Sequence, residues 1–566
     1  MSRKIVLAIT LIIVLFGMLG VKFIVQEGMA SGTIYIRADG SVEGTDKILR
    51  DGDVYTFTDD IYDEIVVERS YIAIDGNGYT LQGFGSGVGI ELDHLFYVTI
   101  EHLNVDNFSD GIYVRYSSYT TISENNITDN DRNGIFIHYS SNFNNISGNN
   151  IVANDYGVHL DQYPSNNTIL ENYIADNRES GIFVGNKCAS TTIFNNTITW
   201  NSITNHWGAI YVIGVDTYHN NVTENTIEDN FKHGVEIRTA YTTVSRNVIR
   251  GNLADGVHIE GTRNKINNNE ITANTRGIIL TNDAHYNDVS YNNLSDNEVS
   301  VIYLTDSSWN RISGNQIIGN QGIGVGLGGS SSNNEIFENN IEDNQVGVSL
   351  LTGDSYFYNT VYHNNIVNNT NQVTTCCGYI NDWTGFNNMH GNYWSDYSGV
   401  DSNHDGLGDT PYLIDEYNLD YLPLMGKIHK LSKAPGYDIY LVSNSTLDRF
   451  EHFENNNTIR IYVSSISSTE YGFCRLIMPR SLMAPPYEVT INDGSTDVLF
   501  LNDTLYSPLH SLCVLYFAYE HSTHEIIIVP EFPSFLILPL FMIAALLAVI
   551  VYRRKHFTKP KERIAE

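Results

Sequence analysis

The stretch GIFIHYSSNFNNISGNNIVAN (Gly134–Asn154) decides the fold. Its apolar residues come in short alternating runs punctuated by Gly, Asn and Ser, which marks brief strands between tight turns and excludes a helix. The pattern recurs from residue 111 to residue 369 in units of 21 to 27 residues. A Gly-[Ile/Val]-x-[hydrophobic] signature opens a copy at Gly111, Gly134, Gly157, Gly181, Gly208, Gly234, Gly256, Gly277, Ser300, Gly324 and Gly347, eleven in all. A unit this short suits three strands and three turns, one circuit of a parallel coil whose turns stack at about 4.8 Å.

Two further columns fix the register. One apolar position per copy runs from Ile127 to Ile366, and five residues before it stands a column from Ile122 to Val361 that is β-branched throughout. Asparagine occupies the position two before the first column, from Asn125 to Asn364, and the position three after it, from Asn130 to Asn369. Asparagine accepts left-handed turn conformations, and its amide can bond the identical amide one coil above and below. Such ladders need identical positions in stacked register, which a propeller blade of about 40 residues does not offer.

These units resemble the right-handed parallel β-helix repeat of the NosD-like, pectate-lyase-like superfamily. IAIDGNGYTLQG (Ile72–Gly83) is similar to that family's first coils, and GNYWSDYSGVDSNHDGLGDTPYLID (Gly391–Asp415) to its C-terminal closure. The resemblance implies an all-β solenoid but no single activity, because lyases, epimerases, adhesins and copper-delivery proteins share the repeat. Leu103 and Phe108 stand where the ladders would continue towards the N-terminus, so residues 31–110 are expected to form first coils and a cap over the open edge.

The two ends of the chain place it. An apolar run, Ile5–Val25, follows Arg3 and Lys4 and precedes Gly28 and Ala30, as in a secretory signal peptide or signal anchor over residues 1–30. Phe535–Tyr552 carries no charge and is followed by Arg553, Arg554, Lys555, Lys559, Lys561 and Arg563, so residues 530–552 are expected to hold a membrane helix with a basic cytoplasmic tail at 553–566. With the preceding VPEFP (Val529–Pro533), this arrangement resembles the sorting tails of archaeal surface proteins. The expected location is the cell surface, anchored in the plasma membrane with the bulk outside, where Asn-x-Ser/Thr triplets such as Asn126, Asn221 and Asn456 can be glycosylated. A charge of −33, from 65 acidic against 32 basic residues, excludes a nucleic-acid partner and leaves cell-surface glycans or envelope proteins.

Residues 111–372 are assigned to the repeats, 373–426 to the closure and 427–529 to a small β-sandwich stalk. Strand-like runs at Asp438–Val442, Thr458–Val463, Tyr487–Ile491, Val514–Tyr519 and Glu525–Val529 support the last. Segments of this stalk resemble a module near the membrane anchor of archaeal surface proteins, which implies no catalytic role. Cys474 and Cys513 fall on neighbouring segments and could form a disulfide outside the cell.

Three candidate sites emerge. DSNHDGLGD (Asp401–Asp409) sets Asp401, Asn403, Asp405, the Leu407 carbonyl and Asp409 at calcium-loop spacing around Gly406, so a structural Ca²⁺ is expected there. Residues two and four after each repeat glycine should face outward, which gathers Glu236, Arg238, His258 and Glu260 on two coils, with His138, His159 and Asp161 nearer the N-terminus. A lyase or epimerase could use this face, its carboxylates holding Ca²⁺ against a uronate while Arg238 or His258 takes the proton. A solvated face with cross-coil ion pairs, in a protein that binds without catalysis, explains the same residues. Copper delivery is not expected: the 18 histidines fill no repeated column, and Cys376–Cys377 is an isolated pair.

Overall fold

The structure is a computed structural model that describes residues 32–556, apart from 202–207, 353–358, 377–379, 386–390, 432–437, 465–470, 484–485, 493, 497–498, 502–511 and 531–533. The expected signal segment, most of the Pro-Glu-Phe-Pro motif, Cys377 and the tail beyond His556 lie outside the described residues.

Successive coils pass through three sheets. Sheet A holds 16 strands and includes every Gly-[Ile/Val]-x-[hydrophobic] strand; sheet B, with 15, carries the β-branched column from Ile122; sheet C, with 14, carries the column from Ile127. Pairing between coils is parallel, from Thr33–Ile36 against Glu64–Val67 to Val346–Thr352 against Asn371–Thr375. The coil thus starts well before the legible repeat. Its open N-terminal edges are closed by antiparallel strands, Val42–Glu43 on sheet A and Ile48–Asp51 on sheet B, which removes the unpaired edge that would recruit other chains. The inner columns of all three sheets are buried in one continuous core, with Ile135, Ile137, Ile146 and Ile151 of the quoted coil fully enclosed.

The repeat glycines answer to backbone crowding between coils. A Cβ on Gly134 would stand 2.7 Å from the Gly157 carbonyl oxygen and 2.9 Å from Ile151 Cγ2. In two coils the structure corrects the sequence alignment. Ile182 pairs with Ile210 and Ile278 with Ile302, which puts Ala209 and Val301, not Gly208 and Ser300, in the glycine column.

Both asparagine ladders form in the interior. The Asn149 Nδ2 donates to Asn172 Oδ1 at 3.0 Å and to the Ile122 carbonyl at 2.8 Å, while its backbone N–H donates to the same Asn172 oxygen at 2.9 Å. The ladders end at Leu103 and Phe108, whose backbone N–H groups donate to Asn125 and Asn130. A third ladder runs through Asn264, Asn287, Asn310, Asn334 and Asn359 at the turn between sheets A and B.

Beyond the solenoid, two five-stranded antiparallel sheets face each other across a core that includes Leu441, Ile461, Leu476, Leu515 and Ile526. This unit is docked on the last coils: Ile428 N–H donates to Asn365 Oδ1 at 2.8 Å, and Tyr440 OH donates to Glu338 at 2.6 Å. The disulfide expected between Cys474 and Cys513 is not formed. Their strands are neighbours, but the register sets Cys474 opposite Phe517 and Cys513 opposite Met478, four residues apart along the strand.

A helix, α1 (Ser534–His556), occupies the expected position of the C-terminal span. Its side chains from Phe541 to Tyr552 are largely exposed, including Phe541, Leu546, Leu547, Val549 and Ile550. Among the described residues, no helix is long and apolar enough to cross a membrane.

Candidate functional site

Register places one outward column of sheet A in unbroken succession: Tyr113, Phe136, His159, Phe183, Tyr211, Glu236 and His258. Each coil brings the same strand position under the next, so the side chains stack along the solenoid axis. Tyr113 and Phe136 lie parallel with centroids 5.2 Å apart, Phe136 and His159 are 4.6 Å apart, and Phe183 meets His159 and Tyr211 edge to face. Burial lowers His159 to about 4, so its ring is neutral at neutral pH and behaves as part of the stripe. Alongside, Tyr113 OH contacts His138 Nδ1 at 2.9 Å, and Asp161 accepts from the Asn186 backbone at 2.7 Å.

The stripe ends on a charged cluster. Glu236, expected to face solvent, is fully buried, and its Oε2 has no hydrogen-bond partner among the described residues. Arg238 Nε reaches Glu236 at 2.8 Å and Glu260 of the next coil at 3.0 Å, so the anticipated cross-coil pairing is present. Its guanidinium also lies 5.7 Å from the centre of the Tyr211 ring. His258 Nδ1 contacts Asp255 Oδ2 at 2.7 Å, and its Nε2 faces Glu260 and Thr281 at 3.4 and 3.3 Å. Burial opposes charge on His258, but the Asp255 hydrogen bond and the Asp255 and Glu236 charges outweigh it and hold the imidazole above its usual pKa.

Sequence reasoning missed Asp255 and His233. Both stand immediately before a repeat glycine, three positions ahead of the first column expected to face outward. Asp255 is fully buried, with Arg276 paired to Oδ1 and His233 Nδ1 3.1 Å from Oδ2. The hydrogen bonds and Arg276 keep its carboxyl ionised far below the ordinary range, although burial pushes the other way. His233, Asp255 and His258 present ligand-type atoms within 4.8 Å of one another, the one such group among the described residues.

In the Asp401–Asp409 loop the polar atoms bind one another's backbone. Asp401 accepts from the Asp405 and Gly406 N–H groups, Asp405 from that of Leu407, Asn403 from that of Asp405, and Asp409 from that of Ser402. Gly406 adopts a φ of +82°, the reversal the spacing anticipates. The loop abuts the sandwich, where Arg475 donates to the Asp405 carbonyl.

A family model described as "Right handed beta helix region" matches residues 208–371, and one described as "Periplasmic copper-binding protein (NosD)" matches residues 25–206. The chain is a right-handed β-helix repeat protein. The cluster around Asp255 falls within the first match and outside the second. No curated protein matches the sequence. Among solved structures, this β-helix protein is similar to the A-module of the Azotobacter vinelandii mannuronan C-5 epimerase AlgE4, at 14% identity over 52% of this chain and 90% of that one, TM-score 0.36. The Dettilon tailspike protein is similar at 13% identity over 82% of this chain and 88% of that one, TM-score 0.34. PfbA, a surface adhesin of Streptococcus pneumoniae, is similar at 15% identity over 50% and 72%, TM-score 0.26. At identities and scores this low, these proteins' activities say nothing about the chemistry of the site described here.

Proposed function

We propose that this protein binds an extended, uncharged glycan along sheet A, outside the cytoplasm, without chemically altering it. The observation that carries the reading is the in-register, half-exposed stripe from Tyr113 to Phe183, which ends where Tyr211 is fully buried. Half-buried aromatic faces held by a rigid sheet pack against the apolar faces of sugar rings at little entropic cost. Four successive coils give about 14 Å of such surface, roughly three sugar rings laid end to end. The net charge of −33 repels a polyanion, so a neutral polymer is the better fit.

Binding is favoured over proton abstraction by the state of the two candidate bases. Arg238 is engaged by two carboxylates, and His258 has its Nδ1 committed to Asp255 and its pKa held above the usual value by its acidic neighbours, against its burial, so neither stands as a free base. The exposed apolar side chains of α1 from Phe541 to Tyr552 would rest against a membrane surface. The periplasmic description of the family matched by residues 25–206 supports a place outside the cytoplasm.

The test is titration calorimetry of the full chain with soluble uncharged polysaccharides. Phe136→Ala and Phe183→Ala, both on the half-exposed part of the stripe, should each weaken binding by about tenfold, roughly 1.4 kcal/mol. Unaltered affinity in both variants would remove the stripe from the reading. Release of unsaturated or epimerised sugars would replace binding with catalysis.

A further inference from the structure

The cluster beside the stripe carries an inference independent of glycan binding. We propose that His233, Asp255 and His258 bind one divalent transition-metal ion of the zinc class.

The donor set comes first. Two imidazole nitrogens and a carboxylate oxygen suit zinc and similar divalent ions, and the absence of a thiolate or thioether makes the set unsuited to copper(I). Ligands about 2.0–2.1 Å from a tetrahedral ion stand about 3.3 Å apart. His233 Nδ1 and His258 Nδ1 lie 3.1 and 2.7 Å from Asp255 Oδ2, so small movements of two side chains open the required space. Three protein ligands would leave a fourth position for water or a substrate oxygen.

The second observation is electrostatic. Asp255, Glu236 and Glu260 set three carboxylates against two guanidinium groups, Arg238 and Arg276, with the His233 and His258 imidazoles between them. Glu236, the register partner of His258 one coil away, is fully buried with Oε2 unpartnered. A buried carboxylate oxygen with no donor is costly unless positive charge lies nearby. A third observation concerns His233 Nδ1. The Asp255 backbone N–H points at it from 3.2 Å as a donor, while Asp255 Oδ2 lies 3.1 Å away as an acceptor. One nitrogen cannot accept from the first and donate to the second, whereas a cation that takes the Nδ1 lone pair in place of that N–H is shared by nitrogen and carboxylate together. Arg276 on Oδ1 then acts as the outer partner that orients the carboxylate.

The test uses the metal-free full chain, titrated with Zn²⁺ by calorimetry and with Co²⁺ by visible absorption. One equivalent should bind, with cobalt giving the absorption of a low-coordinate nitrogen and oxygen site. His233→Ala and His258→Gln should weaken Zn²⁺ by more than about tenfold, the scale at which even outer partners of metal ligands act. Asp255→Asn should abolish the cobalt spectrum; if Arg276, left unpaired, prevents folding, the two histidine variants decide the matter alone. His138→Gln and Asp405→Ala should bind as the parent does, which separates this site from the other histidines and from the acidic loop. Absence of a stoichiometric event, or equal affinity in both histidine variants, would overturn the site. Glycan binding by Phe136→Ala reads the other proposal, so the two fail separately.

Discussion

Replacing Asn247 by Leu tests the ladders with little change in volume. Asn247 is about 1% exposed, so no solvent stands ready to satisfy what the substitution strands. Its Oδ1 accepts from the backbone N–H of Asn225 at 2.9 Å and from the Asn225 amide at 3.0 Å; its Nδ2 donates to Asn269 Oδ1 and to the Val222 carbonyl, both at 2.9 Å. Leucine removes all four. The Asn225 amide keeps the Ile193 and Thr223 carbonyls, and Asn269 Oδ1 keeps the Asn247 backbone N–H, so the heaviest loss falls on the Asn225 backbone N–H. A stranded buried donor costs about 1–3 kcal/mol and each of the three other lost bonds about 1 kcal/mol, which gives a loss of about 4–6 kcal/mol. Urea unfolding followed by circular dichroism would read it, with Asn247→Asp as the comparison that keeps the acceptor for Asn225. The Leu variant should unfold at lower urea than the Asp variant if the stranded N–H dominates. A change under about 0.5 kcal/mol in the Leu variant would refute the reasoning, since it would place the column in solvent.

Asp420, buried among the Asn392 amide and the Trp394 indole, is raised by burial to about 6. A carboxyl whose folded pKa exceeds its unfolded value near 4 binds its proton more tightly when folded, so its contribution is present below about pH 4 and lost as pH rises to 6, by about 3 kcal/mol; against Asp420→Asn, the parent's melting midpoint should fall across that window and stay level above it. Millimolar Ca²⁺ should raise the midpoint of the parent and not of Asp405→Ala, by about 2.7 kcal/mol at a hundred times Kd; equal responses would leave Asp401–Asp409 an acidic turn. Truncation before Ser534 should move the protein from the membrane to the soluble fraction, and continued sedimentation with membranes would remove α1 as the anchor.

What could be read from sequence followed from repetition. Asn125 to Asn364 and Ile122 to Val361 announce themselves because every coil demands the same residue for the same reason. The third ladder stayed hidden because Thr120, Thr191 and Thr242 interrupt it, yet their backbone N–H groups still donate to the next asparagine. The glycine column slipped at Ala209 and Val301 because a small residue next door imitated the expected letter, and only strand register separates the two. Glu236, Arg238, His258 and Glu260 were legible as a cluster from spacing alone. Asp255 and His233 were not, since the strand start turns them onto the same face from a position the alternation rule assigns elsewhere. The disulfide failed for a related reason: adjacency of strands is readable, but a four-residue offset in pairing is not.

The most direct measurement is affinity against ligand length, with uncharged linear oligosaccharides of increasing size titrated into the full chain. A stripe of about 14 Å predicts affinity that rises with each added ring up to about three and then levels off, and a double Phe136→Ala/Phe183→Ala variant in which the rise disappears. Affinity that is flat from the disaccharide onward, or a length dependence that survives the double variant, would contradict an extended glycan lying along sheet A.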